Sequence, residues 1–472
     1  MNIQLRDYQQ KGNDDILHAF RQGYRAPLYV GATGSGKTVQ FCDIAERVQS
    51  KGKRVDILVH RKEILNQTSL HLKRLGLDHG VIAPGYPMTG DKIQAASVYT
   101  IAKRLKKISP PNIIIVDECH HSAAATWFNT INYFPDAFIC GFTATPYRLD
   151  GKGLGVSAGG FYDILIEGPK THELMEMGRL SPAITYAPPT PINRDLIKNK
   201  GSDFGISESE TAVNKRVITG CAISHYNRIC PGVPAIAFCT TIRHAENVAE
   251  QFNAAGISAL SIDGTLTDQQ RRYRIDCLAN GKIKVLTSCE IISEGTDIPV
   301  VTAGILLRPT QSLSLYLQQC GRVLRPAPQI NKKYAYILDH VGNCFEHGFV
   351  HDVREWSLNG DIKKKRGSSE NINPLRRCKQ CYAMFPTYIK VCPQCGCNYL
   401  TLDKRIDQVS GELVEVSQSD IDMMKKARKI EQGQAQSLDD LIALATRRGM
   451  DYPEAWAKKI YHFRKGKKMQ YA

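Results

Sequence analysis

The fold is decided by residues 28–38, which read LYVGATGSGKT. The apolar residues at the start of this stretch predict a buried strand, and apolar residues at helical spacing follow it at Phe41, Ile44, Ala45 and Val48. Between the strand and the helix, the glycines let successive backbone N–H groups curl around phosphate oxygens. An ordinary glycine-rich turn would need neither the strand nor the helix, so the pattern predicts a phosphate-binding loop.

Each polar part of this loop has an expected role toward a nucleotide. The nucleotide-binding backbone contacts are expected from Thr33, Gly34, Ser35 and Gly36. Lys37 is placed to reach the β- and γ-phosphates, and the Thr38 hydroxyl is a candidate ligand of Mg²⁺.

An acidic motif, Asp117-Glu118-Cys119-His120, follows the apolar strand Ile113-Ile114-Ile115-Val116. The carboxyl end of a strand in a parallel sheet opens into the ligand crevice, so both acids are able to face the nucleotide. We expect Asp117 to hold Mg²⁺ through water and Glu118 to deprotonate the attacking water. An acidic pair after a strand is commonly a solvated loop, but its combination with the phosphate-binding loop favours a nucleotide hydrolase.

The alternation of short strands and amphipathic helices extends over residues 1–360. Further strands are predicted at residues 57–59, 137–142, 235–238, 284–286, 303–307 and 334–338. Residues after Pro146 have weaker periodicity and several glycines and prolines, as an interdomain connection would. The pattern predicts an α/β protein with two parallel-sheet domains.

Composition narrows the class of partner. The chain has 472 residues with 42% hydrophobic and 23% charged side chains, which excludes a largely disordered protein. The net charge of +16 favours a polyanionic partner, either nucleic acid or an anionic membrane surface. No apolar run approaches the roughly 18 residues that a membrane-spanning helix needs, and the start MNIQLRDYQQ lacks the apolar stretch of a signal peptide. We therefore expect a cytoplasmic or nucleoid-associated protein without a membrane partner.

These motifs resemble those of the superfamily 2 helicases, in the branch that includes the DNA repair ATPase RadD, the phage branch-migration helicase UvsW and the motor subunits of type I and type III restriction enzymes. The resemblance covers residues 3–340. The other matching segments are Leu5-Arg6-Asp7-Tyr8-Gln9, His60-Arg61-Lys62-Glu63, Val98-Tyr99-Thr100, Thr143-Ala144-Thr145, Ser293 to Pro299 and Gln318 to Arg325. The resemblance implies two RecA-like domains, ATP as the nucleotide and a nucleic-acid track, with DNA favoured over RNA.

The resemblance also implies roles for single residues in these segments. They are adenine recognition for Arg6 and Gln9, nucleic-acid backbone contact for Arg61 and Thr100, coupling of hydrolysis to domain motion for Thr143 and Thr145, and nucleotide contact for Gly295 and Asp297.

Arg322 and Arg325 are the candidate arginine fingers of the second domain. Only the first domain carries a phosphate-binding loop, so the second must supply groups across the cleft. The two arginines are three residues apart, and we expect them on one helical face that approaches the γ-phosphate. Without that context, such a face would commonly be solvated.

Five of the fifteen cysteines lie between Cys378 and Cys397. Two C-x-x-C pairs, Cys378 with Cys381 and Cys392 with Cys395, supply the four thiolates of a closed structural Zn²⁺ site. Cys397 is an alternative to Cys395 as a ligand, and a redox pair or buried free cysteines are alternatives to zinc. We expect a separate zinc ribbon whose metal dependence the rest of the chain does not share.

The predicted division of the chain has six parts. They are a first RecA-like domain at 1–168, a connection at 169–228, a second RecA-like domain at 229–358, a basic linker at 359–375, the zinc ribbon at 376–400 and a helical basic tail at 401–472. In the tail, Ser437 is a plausible N-cap, and the ribbon or the tail is a possible site for a protein partner. His121, His340, His347 and His351 are expected to be structural or surface histidines.

The predicted function is an ATP-dependent DNA helicase or translocase in repair, recombination or replication. Three alternatives remain open: the motor subunit of a restriction enzyme, an RNA helicase, and a zinc-ribbon nucleic-acid clamp with a regulatory ATPase.

Overall fold

In a computed structural model of the chain, the phosphate-binding loop and the acidic motif lie at the carboxyl ends of strands in the first of two large sheets formed by the described residues. The model describes residues 5–148, 152–187, 199–200, 203–204, 216–289, 298–360, 375–378, 380–386, 389, 391–398, 430–435, 437–447, 454, 456–458 and 460–461. Contacts divide the chain into two units, Met1–Leu400 and Thr401–Ala472, and each is described by itself.

Within the part of the chain that the structure describes, the first sheet has seven parallel strands in the order β3-β4-β2-β5-β6-β1-β7. Its strands are β1 Pro27–Val30, β2 Val55–Val59, β3 His79–Ile82, β4 Ile93–Ser97, β5 Ile113–Asp117, β6 Phe138–Thr143 and β7 Ile164–Glu167. The accompanying helices are α1 Asp7–Arg21, α2 Lys37–Gln49, α3 Lys62–Arg74, α4 Val98–Ile101 and α5 Ala125–Asn132. All residues of β2 and β5 are buried, because helices cover both faces of a parallel sheet.

Eight strands of the second sheet lie in the described ranges, in the order β12-β13-β11-β14-β15-β8-β17-β16. Its strands are β8 Ala183–Tyr186, β11 Ala235–Phe238, β12 Ala259–Ile262, β13 Val285–Ser288, β14 Ala303–Leu306, β15 Ala335–Asp339, β16 Leu375–Arg377 and β17 Ala383–Pro386. Pairing is parallel from β12 to β8, and β17 and β16 are antiparallel to their neighbours. A separate two-stranded hairpin is formed by β9 Asn199–Lys200 and β10 Asp203–Phe204.

Further helices are described in residues 169–360. They are α6 Thr171–Glu176, α7 Arg216–Ile229, α8 Ile242–Ala254, α9 Asp268–Ala279, α10 Leu313–Val323 and α11 Asn343–His347. The prediction of an α/β protein with two parallel-sheet domains is confirmed. Residues 169–228, expected as a connection, contribute β8 to the second sheet and α7 to its cover.

The cysteine-rich segment is not a separate unit, and that expectation was wrong. Strand β17 pairs with β8 through Ala383 opposite Tyr186, which extends the second sheet by a hairpin. Cys378, Phe385 and Cys392 are buried in the same hydrophobic core as the second sheet. The physical reason is that β8 would otherwise be an open edge, and an edge strand readily accepts another strand.

The second unit contains α12 Leu438–Arg447, whose Leu441 and Leu444 are buried with Ala457. Ser437 caps this helix as predicted, because its Oγ accepts a hydrogen bond from the Asp440 backbone N–H at 3.0 Å. Across the described ranges, no helix is long and apolar enough to cross a membrane.

Candidate nucleotide site and cysteine cluster

The phosphate-binding loop connects β1 to α2 as the sequence predicts. Gly34 and Gly36 both have φ near 87°, a left-handed conformation that side chains with a Cβ rarely adopt. Among the described residues, the hydroxyls of Thr33 and Ser35 are buried without a hydrogen-bond partner. Buried polar atoms normally have partners, so these hydroxyls fit a polar ligand such as a phosphate.

Lys37 lies at the start of α2 and points back into the loop. Its Nζ donates to the Gly31 carbonyl oxygen at 2.9 Å. Burial lowers the pKa of Lys37, while the carboxylates of Glu118 and Asp117 act in the opposite direction and Arg322 lowers it further. The side chains of the two sequence motifs and of Arg322 therefore share one electrostatic environment.

The segment from Arg6 to Gln9, which forms the N-cap and first turn of α1, contacts the phosphate-binding loop. The buried Gln9 donates from Nε2 to the Ser35 carbonyl oxygen at 3.1 Å, and its Oε1 accepts from the Arg6 backbone N–H at 3.0 Å. Tyr8, which the sequence analysis assigned no role, donates its hydroxyl to the same Ser35 oxygen at 2.9 Å. The side chain of Arg6 contacts the Tyr8 hydroxyl, so this segment and the loop form one assembly.

The acidic motif begins with Asp117, the last residue of β5, which is buried. Glu118 follows with φ of 48°, an uncommon conformation for a residue other than glycine and one that is often found at functional sites. Its Oε2 lies 3.3 Å from His120 Nδ1. The turn Cys119–His121 then directs both histidines back toward the sheet edge.

A hydrogen-bonded series leads from this motif to the second domain. His120 Nδ1 lies 3.1 Å from Thr143 Oγ1, which contacts the backbone of Thr145. Thr145 Oγ1 in turn donates to Ser314 Oγ on α10 at 2.8 Å. The two threonines predicted to couple hydrolysis to domain motion thus lie between the acidic motif and the second domain.

Arg322 lies on α10, is buried, and acts electrostatically on Lys37 of the phosphate-binding loop. Gly321 packs so closely on Thr33 that any side chain there would collide with the loop. The expectation that Arg322 and Arg325 share a helical face was wrong, because α10 ends at Val323. Arg325 precedes Pro326, and the residue before a proline is disfavoured in a helix.

Lys332, which the sequence analysis did not single out, holds the end of α10. Its Nζ donates to the carbonyl oxygens of Val301, Val323 and Arg325 at 2.5, 2.6 and 2.7 Å. Burial lowers the pKa of Lys332 to about 7, and Arg325 lowers it in the same direction.

The predicted track contacts follow the carboxyl ends of β2 and β4, on the same side of the first sheet as the phosphate-binding loop. Arg61 occupies the position just before α3, where its side chain makes no capping hydrogen bond, and is half-buried. Thr100 is mostly buried at 9% exposure, beside the 57% exposed Tyr99. Directly after Arg61, Lys62 Nζ contacts Asp268 Oδ2 of α9 at 2.6 Å, so the two domains meet here. Gly295 and Asp297 lie outside the described residues.

The four predicted zinc ligands come together. The Sγ atoms of Cys378 and Cys395 are 3.5 Å apart, as are those of Cys381 and Cys392. All four sulfurs lie within 4.8 Å of one another, and Cys397 is not in this group. Zn–S bonds of about 2.3 Å in a tetrahedron place sulfurs roughly 3.8 Å apart, so the four thiols fit Zn²⁺.

Comparison with known proteins agrees with this geometry. The family described as "Type III restriction enzyme, res subunit" matches residues 2–148, and the family "Helicase conserved C-terminal domain" matches residues 222–327. A 51.5 kDa protein of a Lactococcus phage is 34% identical over 373 residues, which cover 79% of this chain and 78% of the phage protein.

Two further relatives are more distant. Irc3 of Saccharomyces cerevisiae, which carries the provisional name of an ATP-dependent helicase, is 28% identical over 72% of this chain and 51% of its own length. The restriction-modification enzyme LlaBIII bound to DNA has the same fold, with a TM-score of 0.54 and 20% identity over 71% of this chain and 28% of that one. The chain thus spans about half of Irc3. With both helicase families matched in order on two parallel-sheet domains, the chain belongs to the superfamily 2 helicases, which hydrolyse ATP.

Proposed function

We propose that the protein is an ATP-dependent nucleic-acid translocase that acts on DNA and remodels branched or forked DNA in repair, recombination or replication. One observation carries the proposal: helix α10 of the second domain packs on the phosphate-binding loop of the first, with Gly321 against Thr33, and its buried Arg322 acts electrostatically on Lys37. A nucleotide site made from two domains forms and breaks as they close and open. Such a site can convert ATP turnover into movement along a bound strand.

The residues present define what each would do with ATP. The loop backbone and Lys37 hold the phosphates, and Thr38 and Asp117 would hold Mg²⁺, which neutralises phosphate charge when bound. Glu118 orients the attacking water and accepts its proton, which is the base role in this reaction. Arg322 stabilises the charge that develops in the transition state, a contribution worth roughly 10³–10⁵ in rate. Arg325, beyond the helix, would assist at the same site.

Adenine contact by Arg6 and Gln9 remains part of the proposal. Gln9 also binds the loop backbone, so occupation of the base site and the shape of the loop would depend on one another. Gly295 and Asp297 are proposed as further nucleotide contacts.

The proposed track runs over the C-terminal edge of the first sheet at Arg61 and Thr100. The basic net charge supports a polyanionic track. DNA as the track is supported by the likeness to LlaBIII, which was solved bound to DNA. Thr100 is mostly buried, so we expect its contact with the track to be made at the start of the short helix α4.

The cysteine cluster is proposed to hold one structural Zn²⁺ with Cys378, Cys381, Cys392 and Cys395. We retain the sequence-based domain limits as a proposal, except that residues 169–228 and the ribbon at 376–400 each contribute strands to the sheet of the second domain. The surface of the ribbon or the C-terminal tail is the proposed site for any protein partner.

A second candidate function is the motor of a restriction system, which the likeness to the restriction enzyme LlaBIII favours. This reading and an RNA helicase share the same ATPase chemistry. A nucleic-acid clamp would hydrolyse ATP without moving.

The test is ATP turnover titrated with single-stranded DNA, duplex DNA, forked DNA and RNA at fixed salt. We expect DNA to stimulate turnover and forked DNA to stimulate it most. Greater stimulation of turnover by RNA than by any DNA would show that RNA, and not DNA, is the track. Equal turnover with and without every nucleic acid would overturn the proposed function.

A further inference from the structure

We propose that His60 and His121 are positioning residues through which nucleic acid bound at Arg61 reaches the hydrolytic residue Glu118. The inference rests on the proposed function, because it takes Arg61 as a track contact and Glu118 as the base. The sequence predicts only a structural or surface role for His121, and no role for His60 within its matching segment.

A continuous series of contacts joins the two ends. Arg61 Nε donates to His60 Nε2 at 3.3 Å. The rings of His60 and His121 are 4.5 Å apart between centroids, and those of His121 and His120 are 4.2 Å apart. His120 Nδ1 lies 3.3 Å from Glu118 Oε2. The relay, defined as His60, His121 and His120, therefore spans the distance between the predicted track and the predicted base.

The fold brings the relay together through strand register. Leu58 of β2 pairs with Val116 of β5, so the two strands end at the same side of the sheet. β2 continues to His60, and β5 continues to Glu118. The positive φ of Glu118 begins the turn that returns His121 to the ring of His60. Ring centroids this close are in direct packing contact.

A competition at Arg61 supplies two states. In the structure, Arg61 Nε–H is used by His60. A phosphate of the track that binds the Arg61 guanidinium competes with His60 for the Arg61 Nε–H. His60 is then free to move, together with the ring of His121 that packs on it. His120 contacts Glu118 directly, so a shift of the relay reorients the carboxylate that activates water. The track site at Arg61 and the hydrolytic site at Glu118 then both shift the equilibrium between two arrangements of the same packed rings, as coupling requires.

The experiment measures ATP turnover of the full chain with and without saturating oligo-dT, and the affinity for oligo-dT in parallel. His121→Ala should reduce the ratio of stimulated to basal turnover by about 2- to 30-fold, the range for coupling residues, with oligo-dT affinity changed less than about twofold. His121→Phe, which keeps a ring, should restore most of the ratio. The matched control is His225→Ala, because His225 and His340 form an equivalent ring pair at 5.3 Å in the second domain.

A double-mutant cycle separates the relay from a general loss of structure. If Arg61 acts through the relay, Arg61→Ala combined with His121→Ala should lower the stimulation ratio no further than Arg61→Ala alone. Equal loss of basal and stimulated turnover in His121→Ala would overturn the relay, since that result indicates structural damage. A wild-type ratio in His121→Ala, with a reduced ratio in Arg61→Ala, would overturn it and leave the proposed function standing. Absence of stimulation of the wild-type protein by oligo-dT, duplex DNA, forked DNA and RNA alike would overturn both.

Discussion

Loss of zinc should destabilise the second helicase domain, not only the ribbon. The perturbation is Cys392→Ser, which removes one of the four clustered thiols. Because β17 pairs with β8 and the ribbon side chains belong to the core of the second sheet, releasing the ribbon uncovers that core. A detached ribbon would have no such effect.

The magnitude follows from the buried aromatic of the ribbon. Phe385 is 2% exposed in the core of the second sheet. Truncating a buried phenylalanine to alanine costs about 3–5 kcal/mol, so releasing the ring from the core should cost at least about 3 kcal/mol. For domains of roughly 150–250 residues, 1 kcal/mol shifts the Tm by about 2–4 °C. We therefore expect the Tm of the second domain to fall by about 6–12 °C.

The assay is thermal unfolding by calorimetry, together with elemental analysis of the purified protein and basal ATP turnover. Wild-type protein should contain about one zinc per chain. Cys392→Ser should lose the metal, unfold at the lower Tm given above and lose a part of its basal ATP turnover. Cys397→Ser is the matched control, because that cysteine lies outside the thiol cluster and should leave all three unchanged. Loss of zinc with an unchanged Tm would refute the reasoning, and wild-type protein without metal would remove the zinc site itself.

Three further predictions concern the motor. Lys37→Ala should abolish ATP binding, whereas Glu118→Gln should bind ATP but hydrolyse it about 10²–10⁴-fold more slowly; near-normal turnover in Glu118→Gln would show that another group is the base. Lys332→Met should lower turnover more than ATP affinity while the neighbouring Lys333→Met changes neither. The pKa of Lys332 is lowered in the folded state, so the unfolded state binds more protons between pH 7 and 10. The free energy of unfolding of the wild-type protein, measured by chemical denaturation, should therefore rise over this range relative to that of Lys332→Met. Parallel pH curves for the two proteins would contradict this. Arg61→Ala should weaken DNA binding equally across sequences and reduce the salt slope by about one, and a sequence-dependent loss would argue against a backbone contact.

The nucleotide site was predictable from the sequence because its chemistry depends on local spacing. The loop that ends in Lys37 and the strand that ends in Asp117 each combine an apolar run with polar residues at fixed offsets. Their meeting at one edge then follows from the geometry of parallel sheets. The same holds for the thiol cluster, whose two short loops carry their ligands at fixed spacing.

The remaining features depend on contacts between distant segments, which no local pattern contains. The pairing of β17 with β8 joins residues nearly 200 positions apart, and the ring contact of His60 with His121 requires both the register of β2 with β5 and the turn after Glu118. One miss had a local cause that the sequence did contain. Pro326 indicated that the helix carrying Arg322 would stop before Arg325.

In the proposed function, ATP turnover moves the protein along nucleic acid. The most direct measurement is displacement of a third strand from a triplex placed at increasing distances along duplex DNA, recorded beside ATP turnover in the same samples. We predict a displacement lag that lengthens with distance in the wild-type protein and no displacement in Glu118→Gln. DNA-stimulated turnover without displacement at any distance, on duplex or on forked DNA, would contradict the account and identify a clamp.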